Sequence, residues 1–181
     1  MDVVPITVYG DKILRINTKK IEAVTDDLII DIQKMWASMR NASGIGLAAN
    51  QIGIDKSIFV VDVSSIEDYE HIKPVVMINP EILDYSDEII TYEEGCLSLP
   101  NLRADVERSK IIKVRYIDTA ETEQIIEADD LFARVILHEN DHLIGKMIPD
   151  RVAPHLKQKL QGELIKILKR EVDIDYPITE R

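Results

Sequence analysis

The residues with the clearest chemical capacity are His138-Glu139-Asn140-Asp141-His142. On a helix, positions i and i+4 project to one side about one turn apart, so His138 and His142 can grip a single metal ion. Glu139 lies beside them and can take and return the proton of a water that the metal acidifies. The plain alternative is two surface histidines that fall four apart by accident. The chain has only 4 His, and two of them flank a glutamate at this spacing, which favours the metal. Leu131 and Val135 share the histidines' face and would keep the site dry; Arg134 lies on or near that face, and the motif does not explain it.

Two residues contend for the third ligand. Glu163 lies on the next predicted helix, where such motifs often find a carboxylate. Cys96, the only cysteine, lies in Glu93-Glu94-Gly95-Cys96-Leu97-Ser98-Leu99-Pro100, just after a predicted strand. A thiolate is a strong ligand for borderline and soft metals, yet a lone cysteine is most often a small buried hydrophobe. Spacing alone leaves the two level. A run such as Glu93–Glu94 is usually solvated, but Glu94 directly precedes the cysteine turn. Gln51, taken by itself, reads as an exposed polar loop residue.

The elements that must position these groups read as α+β. Residues 1–20 form an arm. Thr25–Asn41 reads as a helix: Thr25 caps it, Asp26 and Asp27 suit its positive end, and Leu28, Ile32, Trp36 and Met39 make an apolar stripe. Gly44–Gln51 has small residues where backbone could approach a ligand closely. Ser57–Val63, Pro74–Ile78, Glu88–Tyr92 and Lys110–Ile117 read as strands, and Thr122–Glu127 as a partner of the last. Glu81–Ser86 and Ala120–Glu121 read as turns. Asp129–Ile144 is the helix of the two histidines, stopped at Gly145. Pro154–Glu171 reads as a third helix with Leu156, Leu160, Leu164 and Leu168 inward. The expected architecture is antiparallel or mixed sheets around the central histidine helix, with one helix N-terminal and one C-terminal to it. Residues 1–171 form one catalytic domain, and 172–181 an extended tail.

Composition narrows the function classes. With 45% apolar residues in 181, the chain can bury a real core. Its 33 acidic and 22 basic residues leave a net charge of -11, which argues against specific DNA binding or broad phosphate contact. The basic run Lys157, Lys159, Lys166, Lys169 and Arg170 reads best as a solvated helix face. No apolar run approaches the roughly 20 residues of a membrane span, and the N-terminus lacks the pattern of a signal peptide. One thiol and no internal disulfide suggest a reducing compartment.

Three ordered motifs then carry a resemblance to the peptide deformylase family. Gly44–Gln51 is similar to the family's G-x-G-L-A-A-x-Q, Glu94–Ser98 to its E-G-C-L-S, and His138–Gly145 to its H-E-x-D-H-L-x-G. Met77–Glu81 and Asp11–Arg15 also resemble family segments, and the likeness runs over about residues 5–170. Asn50 stands where Pro or Thr is common, and Leu137 where Gln often stands. The resemblance implies hydrolysis of the formyl group from the N-terminal formylmethionine of new chains, in the cytoplasm. It implies Cys96, His138 and His142 as ligands, Glu139 as acid/base, and the Gln51 side chain and Leu97 N–H as oxyanion donors. The ion it implies is iron(II), although a Cys/His/His set also accepts zinc, nickel or cobalt. Ile45, Gly46 and Gly95 would flank the substrate. Tyr92, Leu131 and Val135 would join Ile45 around the methionine side chain, with Glu94 and Arg134 at its edge and Arg103 near the chain beyond. The implied partners are N-formylmethionyl nascent peptides and, in passing, the ribosome. On the residues alone, an endopeptidase using Glu163 and a non-catalytic relative that binds nascent chains remain the alternatives.

Overall fold

Ile58-Phe59-Val60-Val61 has no polar side, and the fold covers both of its faces. The computed structural model describes residues 2–180; Met1 and Arg181, the outer ends of the predicted arm and tail, lie outside it. In chain order the elements are α1 (Asp26–Asn41), β1 (Gly46–Ala48), β2 (Ile58–Val61), β3 (Val75–Tyr85), β4 (Ile89–Cys96), β5 (Leu99–Ser109), β6 (Ile111–Ile117), β7 (Glu123–Asp129), α2 (Asp130–Leu143), α3 (Pro154–Lys159) and α4 (Gln161–Lys169). A five-stranded sheet runs β1-β2-β3-β6-β7 and a two-stranded sheet pairs β4 with β5. All of these pairings are antiparallel, so the α+β reading holds.

Alternate side chains of a strand point to opposite faces, and β2 uses this to separate two cores. Ile58 and Val60 pack with Leu28, Met35 and Met39 of α1, Leu102 and Val106 of β5, and Leu164 and Ile167 of α4. Phe59 and Val61 pack with Met77, Val114 and the Phe132, Ala133 and Ile136 face of α2. Helix α2 touches strands of both sheets, and so becomes the central element that the sequence predicts.

Local chemistry explains most boundaries. The Thr25 hydroxyl accepts the Leu28 N–H and starts α1. Three expectations need correction. The turn expected at Glu81–Ser86 is largely strand, because β3 runs on to Tyr85. Its pairing with β6 shifts register between Ile78 and Glu81, so a bulge absorbs Asn79, in left-handed backbone, and Pro80, which has no N–H to pair. Leu99–Ser109, which carries no predicted element, is an eleven-residue strand with Leu102, Ala104, Val106 and Arg108 inward. The third helix is two: it breaks at Leu160, two residues before the poor helix former Gly162. After the break Leu164 and Ile167 are buried, while Leu168 is 38% exposed.

The C-terminal residues run back along the arm. Ile6 and Ile178 form a parallel bridge, with the Ile6 N–H on Pro177 O and the Thr179 N–H on Ile6 O, each at 2.9 Å. Arg170 of the basic run is not free: it donates to Asp11 Oδ1 at 2.6 Å and to Thr179 O at 3.0 Å. Among the described residues, no helix is long and apolar enough to cross a membrane.

Candidate metal centre

Helix α2 buries Phe132, Ala133, Ile136 and Leu137 on its core side, which turns His138 and His142 toward the end of β4. It stops where Gly145 takes left-handed backbone; a side chain there would meet the Arg15 backbone at 2.7 Å. Opposite it, β4 ends on Cys96, where a register shift between Gly95 and Cys96 turns the chain into β5. The ligand atoms of Cys96, His138 and His142 all lie within 4.8 Å of one another, with Cys96 Sγ 3.2 Å from His142 Nε2. Glu163 is not among them. It lies on α4, half exposed, and accepts from Lys166 Nζ at 2.9 Å. The structure therefore brings together the cysteine and the two histidines, and leaves the carboxylate outside.

Behind the ligands lies a buried ionic network that spacing does not reveal. Glu94 Oε2 sits 3.0 Å from His138 Nδ1, which leaves Nε2 of that ring for the centre. Arg108 Nε and Arg134 Nη1 both donate to Glu94 Oε1, at 2.6 and 2.7 Å. Arg108 also reaches Asp141 at 2.9 Å, and Arg151 closes the chain on the same carboxylate. Burial alone would raise the Glu94 pKa, but hydrogen bonds from His138 and Arg108 hold the carboxyl at about 2. Arg134 spends its remaining donors on Val106 O and Ile90 O, which explains its place beside the motif.

Burial disfavours the charged form of both histidines. At His138 the neighbouring Cys96 and Glu94 outweigh it and raise the pKa; at His142 the charge of His138 adds to burial and drives the pKa down. Two imidazoles and a thiol suit a divalent transition metal, so the residues fit such an ion. Glu139 is 4% exposed, and burial pushes its carboxyl up to about 7. Its Oε2 has no protein partner.

These groups open into a cavity of about 480 Å³. Ile45, Gly46, Tyr92, Glu94, Gly95, Arg103, Leu131, Arg134 and Val135 all line it, with Gln51, Leu97, Cys96, His138 and Glu139; His142 is fully buried beneath. Gly46 is required there, because a Cβ would stand 2.5 Å from Glu139 Oε1. Gln51 is buried, not exposed: Oε1 accepts the Ala48 N–H at 2.7 Å, while Nε2 donates to Ser98 Oγ at 3.2 Å and faces Cys96 Sγ at 3.7 Å. Tyr92 is 63% exposed at the rim, and Arg103 pairs loosely with Glu93 at 3.8 Å on the lip. Sequence reasoning missed Arg108, Asp141, Ser98 and Tyr176. None of them carries a local signal: Arg108 is a charged residue on an inward position of β5, where it masks the strand's alternation.

The comparisons with known proteins agree on one family. The polypeptide deformylase family model matches residues 3–158. A peptide deformylase of Chlorobium phaeobacteroides is 43% identical over 176 residues, covering 97% of this chain and 95% of its own. One from Chlorobium phaeovibrioides is 40% identical, covering 97% and 92%. The crystal structure of peptide deformylase from Ehrlichia chaffeensis superposes with a TM-score of 0.85 at 31% identity, over 94% of this chain and 97% of that one.

Proposed function

The chain belongs to the polypeptide deformylase family, hydrolases that remove the formyl group from the N-terminal formylmethionine of new polypeptides, and on that premise we propose how its cavity does so. The observation that carries the reading is the convergence of Cys96, His138 and His142 beside Glu139 at the floor of the cavity. Cys96, His138 and His142 hold the metal. When bound, the ion supplies Lewis acidity, which makes a nucleophile of water near neutral pH and polarises the formyl oxygen. The free Oε2 of Glu139 accepts the water proton and returns it to the amine nitrogen as the C–N bond breaks, releasing formate. A carboxyl near 7 suits both halves of that transfer.

Addition to the formyl carbon leaves an oxyanion. The Gln51 side-chain amide and the Leu97 N–H donate to it, and fixed donors of this kind are worth about 3–4 kcal/mol each. Gln51 donates without bringing a charge, and its amide is already locked by Ala48 and Ser98. Ile45 and Gly46 run beside the substrate backbone, with Gly95 across from them. Ile45, Tyr92, Leu131 and Val135 supply apolar walls for the methionine side chain. Glu94 and Arg134 hold those walls and His138 in place, and Arg103 on the lip meets the chain that follows.

The ion we assign is iron(II), supported by the family resemblance and by a mixed sulfur and nitrogen donor set. Activity then decays in air and is better preserved by nickel or cobalt; an air-stable, fully active zinc form would overturn the assignment. We infer that the chain acts in the cytoplasm, in passing contact with the ribosome; a substrate that is a newly made chain supports that reading.

The test measures formate release from a formyl-Met tripeptide and metal content on the same anaerobic sample. Cys96→Ser should lose both, and Glu163→Ala should keep both. The reverse pattern would remove Cys96 from the centre.

A further inference from the structure

We propose that Tyr176 is a positioning residue for the cysteine turn: its hydroxyl clamps the Leu97 carbonyl, which fixes the Leu97–Ser98 peptide plane and, through the Leu97 Cα, restrains the adjoining Cys96–Leu97 peptide that carries the Leu97 N–H. The inference rests on the reading of that N–H as an oxyanion donor. Leu97 and Ser98 lie in the turn between β4 and β5, where Cys96 pairs with Leu99 across a register shift. Peptide groups in such a turn have lost their ladder partners and must find others. The partners come from three distant segments. The Tyr9 N–H donates to Ser98 O at 2.9 Å, Gln51 donates to the Ser98 hydroxyl, and the Tyr176 hydroxyl donates to Leu97 O at 2.9 Å.

Tyr176 can serve as a clamp because its own segment is anchored on both sides. Before it, Asp173 O accepts from Asn101 Nδ2 at 3.1 Å. After it come the Pro177 and Thr179 bonds to Ile6, and the Thr179 hydroxyl donates to Asp11 Oδ2 at 2.6 Å. The Tyr176 ring packs against the α1-side core. Burial, and then Cys96, raise the pKa of the hydroxyl, so it keeps its proton and remains a donor. Residues 172–180 therefore belong to the catalytic unit and are not an appendage to it.

The deciding variant is Tyr176→Phe, which keeps the ring and removes the donor. Four quantities are read on the full chain: kcat and KM for a formyl-Met tripeptide with nickel-loaded protein, and the Leu97 amide chemical shift and Tm with zinc-loaded protein. We expect kcat to fall about five- to ten-fold with KM within about two-fold, and the Leu97 amide to move. Thr179→Val, which loosens the segment away from the turn, should lower Tm and leave kcat within about two-fold. An unmoved Leu97 amide overturns the clamp. So does an equal loss of kcat in Thr179→Val, which would make the effect one of general docking. A shifted amide with unchanged kcat overturns it differently, by showing that the Leu97 N–H is not the oxyanion donor.

Discussion

Helix α2 and the turn after β4 deliver the proposed ligands to one point by different means. On α2, His138 and His142 are aligned by backbone bonds between residues four apart and by the burial of Phe132, Ala133 and Ile136 behind them. Nothing distant is needed to set their spacing. The cysteine turn has no such internal rule. Its geometry is imposed by Tyr9, Gln51 and Tyr176, and by Arg108 acting through Glu94. One half of the centre is thus encoded locally, the other by contacts that form only when the whole chain has folded. A local half should lose chemistry when a reacting group changes, and keep its shape. A half assembled from afar should lose shape and affinity together.

The same substitution, Glu to Gln, tests this on both sides. Glu139→Gln alters the helix half. It keeps the side-chain volume and removes the proton acceptor, so formate release should fall about 10²–10⁴-fold with metal content and Tm close to wild type. A variant that kept more than about a tenth of the activity would remove Glu139 from the proton transfer. Glu94→Gln alters the strand half. It takes the charge from between Arg108 and Arg134, whose side chains are each 5% exposed. Unpairing a buried charge costs about 3–5 kcal/mol, visible as an earlier urea midpoint. The Nδ1 partner of His138 is weakened as well, so metal affinity measured against a chelator should drop about 10–100-fold. If Glu94→Gln instead lowered kcat with stability and affinity intact, the contrast between the halves would fail.

The same division governs what was legible in the sequence. The histidine helix, its stop at Gly145 and the Thr25 cap of α1 follow from local rules, and they stand where those rules put them. Cys96 could not be told from Glu163 by spacing; three ordered motifs decided it, and geometry brings the cysteine to the histidines. Glu93–Glu94 is by type a solvated run, with Glu94 set apart in the sequence only by its place before the cysteine turn. Strand periodicity separates them, with Glu93 exposed and Glu94 6% exposed. Arg108 was invisible because a charged residue on an inward position masks the alternation of β5, and its two acidic partners, Glu94 and Asp141, lie on other elements. Tyr176 carries no local signal at all, because its role exists only where the end of the chain meets the turn.

The smallest expected effect sharpens the comparison furthest. Asp129 precedes α2 but makes no side-chain cap; the Leu131 N–H goes to the Tyr69 hydroxyl instead, at 3.3 Å. Tyr69→Phe therefore removes one tyrosine hydrogen bond from the helix half, as Tyr176→Phe does from the turn half. The lost bond lies two turns from His138, and the rest of the helix ladder holds the ligands in register without it. Its cost should be about 1 kcal/mol or less in urea unfolding, with kcat and metal content unchanged. The two variants make the same chemical change at opposite sides of one centre, so only the source of positional information differs between them. A loss of kcat in Tyr69→Phe as large as that in Tyr176→Phe would mean that the helix half also depends on distant supports.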